Sequence, residues 1–139
     1  MSESFELHPD LARDGIEVMD LRLSRLLLMN DAAWPWLVLV PQRPNKKDFH
    51  DLDPMDQYRV CDEITICSQA LSRLFSPDKV NVAALGNMTP QLHIHVIARF
   101  SDDPAWPGPV WGKQAMQPYP AHQLEERVKA LHQELKHPL

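Results

Sequence analysis

Cysteine is scarce in this chain of 139 residues, and the scarcity argues against a fold held together by disulfides. The two cysteines, Cys61 and Cys67, lie six residues apart in a segment that is predicted to be helical. At that spacing they point to different faces of the helix and cannot easily bond to each other. We expect both to be reduced residues of the core, which is typical of a cytoplasmic protein.

Long apolar runs and an excess of basic charge are also missing. No stretch approaches the length of a membrane-spanning helix, and no basic start precedes an apolar run, so we expect neither membrane insertion nor export. The 14 Lys and Arg residues are outnumbered by 19 Asp and Glu residues, which gives a formal net charge of -5. This balance argues against a groove for a nucleic-acid polymer, but it leaves room for a local anion site.

What the chain does contain is the composition of one globular domain. With 44% hydrophobic and 24% charged residues, a chain of this length can bury a core. Residues 16–29 alternate between apolar and polar in a way that predicts one or two strands, and residues 36–40 predict another. Short strands are also predicted over 80–85 and 92–99. We therefore predict a single α+β domain over residues 1–139, with an antiparallel sheet of about five strands.

Two helices accompany the predicted sheet. Asp53 is a good N-cap, Pro54 suits the first helical position, and apolar residues then recur at three- and four-residue spacing until Pro77. A C-terminal amphipathic helix is predicted over 121–135. The segment before it, 101–120, holds five of the 13 prolines together with three aromatic residues, so we expect it to be irregular. Stiff loops of this kind often cover another part of a protein.

The most informative segment runs from Gly86 to His95, with the sequence Gly-Asn-Met-Thr-Pro-Gln-Leu-His-Ile-His. On a strand Gln91, His93 and His95 share one face, and the apolar residues between them face the core. Three interpretations are open. The histidines are ordinary surface residues, or they form half of a zinc or iron site that needs a third ligand from elsewhere, or one of them is a nucleophile.

The third interpretation has a clear chemical basis. An imidazole whose Nδ1 proton is held by a backbone carbonyl offers its Nε2 to an electrophile such as a phosphoryl group. A second imidazole two residues on can place a hydrogen bond or a positive charge against the phosphoryl oxygens. The preceding turn supplies the rest of a cradle, since Gly86 permits close backbone approach and Asn87 and Thr89 can hydrogen-bond phosphate.

These residues resemble the signature of the histidine triad superfamily, in which Gly followed by Gln or Asn precedes three alternating histidines. The order of elements is similar from about Leu21 to Arg99. The resemblance implies a nucleotide hydrolase or nucleotidyl transferase that acts at the α-phosphate through a nucleotidyl-histidine. It assigns the attack to His93 and phosphate contacts to His95 and Asn87. By the same resemblance Asn30 is the ribose contact, and Asn81 is a further polar contact.

Two positions depart from the family pattern. Gln91 stands where the family has its first triad histidine, and it can orient a neighbour but cannot take up or release a proton. Because a polyphosphate leaves without added protonation, Gln91 favours phosphoanhydrides such as dinucleoside polyphosphates as substrates. Trp36 takes the place of a histidine in the strand after the ribose contact, where an indole either stacks on a base or fills the core.

The resemblance also implies a homodimer. It implies that the covalent step needs no cofactor, and a divalent cation can arrive with the substrate. Two other functions stay open. The first is a nucleotide-binding or sensing module with weak or no turnover, and the second is a metal-dependent enzyme that uses the His93 and His95 pair.

Overall fold

The computed structural model describes residues 4–136, so the first three and last three residues of the predicted domain lie outside the described part. Its elements are α1 (Pro9–Asp14), β1 (Gly15–Asp20), β2 (Ser24–Met29), β3 (Trp36–Pro41), α2 (Pro54–Phe75), β4 (Lys79–Ala83), β5 (Ile94–Arg99) and α3 (Ala121–Leu135). A single 3-10 turn, Phe49–Asp51, precedes α2. The predicted α+β class with a five-stranded antiparallel sheet is confirmed.

The sheet has the strand order β1-β2-β3-β5-β4, and every neighbouring pair is antiparallel. Strands β3 and β5 lie at its centre and are buried at every residue. A strand can be buried along its whole length only when both faces of the sheet are covered. The sheet is therefore the middle layer of the molecule.

Helices α2 and α3 cover one face of the sheet. Alternate residues of β5, such as Ile94 and Val96, share a core cluster with Cys67 and Leu71 of α2 and with Leu131 of α3. The opposite face carries a second cluster, which includes Trp36, Val38, Ile97, Ala105 and Val110. Its last two members belong to the irregular segment 101–120, which forms the cover on this side.

Helix α2 begins and ends as its sequence predicts. The Asp53 side chain accepts a hydrogen bond from the Asp56 N–H, and Pro54 occupies the first turn. The helix ends at Phe75, and Ser76 follows in the left-handed conformation with φ 47°. The predicted bounds of α3, 121–135, are confirmed without change. No helix in the part of the chain that the structure describes is long and apolar enough to cross a membrane.

Two expectations from the sequence were wrong. Strand β5 begins at Ile94 rather than at Leu92, because the Leu92 N–H leaves the sheet and donates to the Lys46 carbonyl. Cys61 is exposed, and only Cys67 lies in the core. Burial, with a smaller contribution from Glu63, raises the pKa of the Cys67 thiol to about 12. Both cysteines are free.

Candidate functional site

A cavity of about 460 Å³, here called the histidine cavity, opens beside the start of β5. This volume is within the range of small-molecule sites. Its wall combines the two histidines, the turn before them, the end of β2 and part of the irregular segment. The lining residues are Asp14, Met29, Asp31, Trp36, Leu85, Gly86, Asn87, Met88, Thr89, His93, His95, Val110, Trp111, Gly112, Gln114 and Met116.

His93 is held by its own backbone. Its Nδ1 lies 2.7 Å from the carbonyl oxygen of Gln91, and its side chain is largely buried. A carbonyl oxygen can only accept, so Nδ1 carries a proton, and in the neutral imidazole the lone pair is then at Nε2. This is the arrangement that the sequence analysis requires of a histidine nucleophile.

His95 lies beside His93, with the two ring centroids 5.0 Å apart and the rings nearly perpendicular. The indole Nε1 of Trp36 donates to His95 Nδ1 at 2.9 Å, and Trp111 contacts the same imidazole with a centroid distance of 5.1 Å. Burial, followed by the neighbouring His93, lowers the pKa of His95 to about 3. Because a buried imidazole with this pKa stays neutral near pH 7, His95 meets a ligand as a hydrogen-bonding group without charge.

The turn that precedes the histidines reaches the cavity as expected. Gly86 has φ +76°, a conformation that side chains rarely adopt, and a Cβ there would meet the Thr89 carbonyl at 3.4 Å. Asn87 and Thr89 both line the cavity. The Thr89 hydroxyl, however, donates to the Asp10 carboxylate at 2.8 Å. Helix α1 is thereby attached to the turn that forms the rim of the cavity.

Gln91 does not line the histidine cavity, although the sequence placed its side chain on the same face as the histidines. Its Oε1 accepts from the His8 N–H and its Nε2 donates to the Glu6 carbonyl, both at 2.8 Å. The residue lies in the bend before β5, so strand alternation does not apply to it. Its backbone carbonyl orients His93, and its side chain holds the N-terminal segment.

Two further polar residues have structural partners outside the cavity. Asn30 accepts from the Tyr119 N–H at 2.9 Å, and Asn81 accepts from Arg99 at 2.8 Å. The adjacent Asp31 lines the cavity instead of Asn30 and accepts from the Ala33 N–H at 3.1 Å. Which of two consecutive polar side chains faces the cavity depends on where β2 ends, and the sequence pattern did not resolve this.

Most of the cavity's outer wall was not predicted from the sequence. Met29, Leu85 and Met116 give this wall an apolar character, and Trp111 brings a ring against His95. The only clue was the proline- and tryptophan-rich composition of residues 101–120. Among the residues that the structure describes, no three His, Cys, Asp or Glu side chains form a group able to hold a metal ion.

Known proteins share the sequence family and the fold of this chain. The model of the HIT domain matches residues 13–102. A histidine triad protein from Marinobacter aquaeolei VT8 is 44% identical, with a TM-score of 0.95 over 99% of this chain and 100% of that chain. Histidine triad proteins from Bradyrhizobium japonicum and Sinorhizobium meliloti 1021 are each 42% identical, with TM-scores of 0.94 and 0.92. The match to the Bradyrhizobium protein covers 96% of this chain and 99% of that protein. The match to the Sinorhizobium protein covers 94% of this chain and 97% of that protein. Comparison with curated proteins gave no significant match. The chain belongs to the HIT family of histidine triad proteins.

Proposed function

We propose that this protein cleaves nucleotides at the α-phosphate through a covalent nucleotidyl-His93 intermediate, as a hydrolase or a nucleotidyl transferase. The family is known for these two activities. One observation carries the proposal for this chain, namely the 2.7 Å hydrogen bond from His93 Nδ1 to the Gln91 carbonyl. In the neutral imidazole this bond puts the lone pair at Nε2, on a residue that lines the histidine cavity.

The proposed reaction has two steps. His93 Nε2 attacks the α-phosphorus, the N–P bond forms, and the bond to the leaving oxygen breaks with its electron pair. The imidazole then carries a positive charge, which strengthens its Nδ1–H hydrogen bond to the Gln91 carbonyl. Water or another acceptor attacks phosphorus next and loses its proton to solvent, and the N–P bond breaks to restore His93. We assign to His95 and Asn87 the hydrogen bonds to the phosphoryl oxygens in both steps.

The charge of the cavity bears on the substrate. Within residues 4–136, its lining includes two aspartates, Asp14 and Asp31, and neither Lys nor Arg. A phosphoanhydride such as a dinucleoside polyphosphate would bring several negative charges to this site. We propose that a divalent cation arrives with such a substrate and neutralises it, while the covalent step itself uses only His93.

We propose contacts to the ribose and to the base from the residues that line the cavity. Asp31 is the carboxylate at the end of β2 that lines the cavity, so it is better placed for a ribose hydroxyl than Asn30. The base would lie against the apolar wall that includes Met29 and Met116. Trp36 is 6% exposed and bonded to His95, so its role lies more in the cavity wall than in stacking on a base.

The decisive experiment follows release of nucleoside monophosphate from diadenosine triphosphate, with and without excess chelator. Wild type should turn over, and His93→Ala should lose at least about a thousandfold in kcat. His122→Ala is the matched control, because His122 is exposed on α3. Normal turnover by His93→Ala would refute the covalent mechanism.

Two other outcomes identify the alternative functions. Tight nucleotide binding without turnover in the wild type would indicate a sensing module. Activity that requires added metal even with an adenosine phosphoramidate, a substrate that carries no polyphosphate, would indicate a metal-dependent enzyme. Intact-mass spectrometry after an alkaline quench should detect nucleotidylated wild-type protein and none with His93→Ala, because the N–P bond is labile in acid.

We propose that the chain forms a homodimer through the exposed β4 edge of the sheet. Strand β4 ends the sheet, and Val82 and Leu85 near it are 47% and 49% exposed. Pairing of this edge with a second copy would cover both side chains and the unpaired backbone groups. Analytical ultracentrifugation of the wild type and Val82→Lys tests it, since the charge should shift a dimer towards monomer.

A further inference from the structure

The hydrogen bond between Trp36 and His95 fixes more than the position of a ring. The indole Nε1 has a proton to donate and no lone pair to accept with, and it lies 2.9 Å from His95 Nδ1. His95 Nδ1 must therefore be the acceptor. In a neutral imidazole the single proton is then on Nε2.

His93 has the opposite tautomer. Its Nδ1 carries the proton, because the partner of that nitrogen is the Gln91 carbonyl oxygen. In their neutral forms the two imidazoles, 5.0 Å apart, thus offer complementary groups, a lone pair at Nε2 of His93 and an N–H at Nε2 of His95. A nucleophile and a hydrogen-bond donor beside each other are what attack on a phosphoryl group requires.

We propose that Trp36 is a positioning residue that holds His95 as the neutral Nε2–H tautomer, so that His95 serves as a hydrogen-bond donor and neither as a base nor as a cation. Protonation of His95 would place an N–H at Nδ1 directly against the indole N–H. The hydrogen bond would be lost and two donors would face each other in a buried site.

The surroundings of His95 support the same assignment. Burial and then His93 lower its pKa to about 3. It is packed against the uncharged rings of Trp36 and Trp111 and against His93. The carboxylates that line the same cavity are Asp14 and Asp31. Neither prevents the neutral form, so the indole hydrogen bond and burial determine the state of this ring.

The tautomer itself does not depend on any activity, and only its catalytic consequence rests on the proposed function. The primary test is therefore spectroscopic. Two-dimensional 1H–15N spectra of the imidazoles, assigned with His93→Gln and His95→Gln, are recorded from about pH 5 to 8. His95 should be a neutral Nε2–H tautomer throughout. A Nδ1–H tautomer, or an imidazolium at about pH 6, would overturn the proposal.

The chain offers a closely matched pair of variants. Trp36→Phe removes the donor and keeps an aromatic ring, and Trp34→Phe removes a neighbouring buried indole whose Nε1 has no partner among the described residues. Trp36→Phe should raise the pKa of His95 by about two units, to the lower end of this pH range, or populate its second tautomer. Trp34→Phe should change neither. An unchanged His95 in folded Trp36→Phe would refute the positioning role.

Kinetics separate this proposal from the proposed function. If the wild type turns over, Trp36→Phe should lower kcat about tenfold with little change in KM, and its pH profile should gain a step that wild type lacks. An unchanged kcat and profile would overturn the catalytic consequence while the nucleotidyl-histidine mechanism stands. If wild type has no turnover, the proposed function fails, and the spectra alone decide the role of Trp36.

Discussion

Arg99 and Asp103 form a buried ion pair between the last residue of β5 and the irregular segment that covers it. The guanidinium Nε and Nη2 donate to the two carboxylate oxygens at 2.8 and 3.1 Å, and both side chains are 3% exposed. Nη2 also reaches the Gly108 carbonyl at 2.7 Å, so the pair fixes the start of the segment that goes on to supply Val110 and Trp111 to the histidine cavity.

Replacing Asp103 by Ala should destabilise the protein by about 3–5 kcal/mol, because a buried Arg99 loses its counter-ion. The backbone N–H groups of Phe100, Ala105 and Trp106 lose a carboxylate acceptor as well. Urea denaturation measures the loss, and Asp102→Ala is the exposed neighbouring control. A loss below about 1 kcal/mol would show that the pair does not hold this segment.

Gln91→His restores the family's first triad histidine, and we expect no more than about a twofold change in kcat. The Gln91 side chain is bonded to Glu6 and His8 and does not line the cavity, so a histidine there has no reason to reach the phosphoryl group. Losing these bonds should lower the free energy of unfolding by about 1–2 kcal/mol.

Initial rates and urea denaturation together test this expectation. Gln133→His, at an exposed position of α3, is the control for adding a histidine. A tenfold or greater gain in kcat by Gln91→His would show that the side chain at this position does act on the substrate.

Thr89→Val separates a structural from a substrate-binding role of the hydroxyl. Because this hydroxyl already donates to the Asp10 carboxylate, its loss should lower the free energy of unfolding by about 1.5 kcal/mol and change KM less than about threefold. Thr89→Ser keeps the donor and should retain stability within about 0.5 kcal/mol. A large rise in KM with unchanged stability would instead indicate that the hydroxyl binds the nucleotide.

Local features of the fold could be predicted from the sequence, because their causes are local. Asp53 and Pro54 start α2 through contacts within one turn, and the bounds of α3 follow from its apolar spacing. The alternation from Ile94 to Val96 put His95 on the face opposite the helices, and the structure has it there. A nucleophilic His93 was expected to have its Nδ1 held by a backbone carbonyl, and the structure supplies that carbonyl from Gln91, only two residues away.

The rest of the site depends on contacts that are distant in sequence. Gln91 finds its partners at Glu6 and His8, more than 80 residues away, so strand periodicity could not predict its direction. The outer wall of the cavity follows a loop whose course is fixed by Arg99 and Asp103, and such a path has no periodic signature. From the sequence, Trp36 could either stack on a base or pack in the core. Its hydrogen bond to His95, 59 residues away, was not predicted.

The lowered pKa of His95 predicts how stability depends on pH. The unfolded chain takes up a proton at His95 near its ordinary pKa of 6.5, whereas burial and His93 keep the folded form neutral down to about 3. The unfolded state therefore binds more protons between these values, and stability should fall as pH falls, by up to about 1.4 kcal/mol per pH unit from this residue. Burial alone would raise the pKa of Asp103, but hydrogen bonds from Arg99 and from backbone N–H groups lower it below the ordinary value of 3.8. Asp103 therefore adds to the loss of stability only when the pH falls below that value.

Denaturation in urea at several pH values between about 4 and 7 isolates the contribution of His95, because the comparison is with His95→Gln. The other histidines are present in both proteins, so the difference in slope belongs to residue 95. The wild type should lose stability more steeply than the variant as the solution is acidified, since glutamine takes up no proton in either state. Parallel curves would mean that folded His95 takes up its proton as readily as the unfolded chain does, which is incompatible with a donor from Trp36 held against its Nδ1.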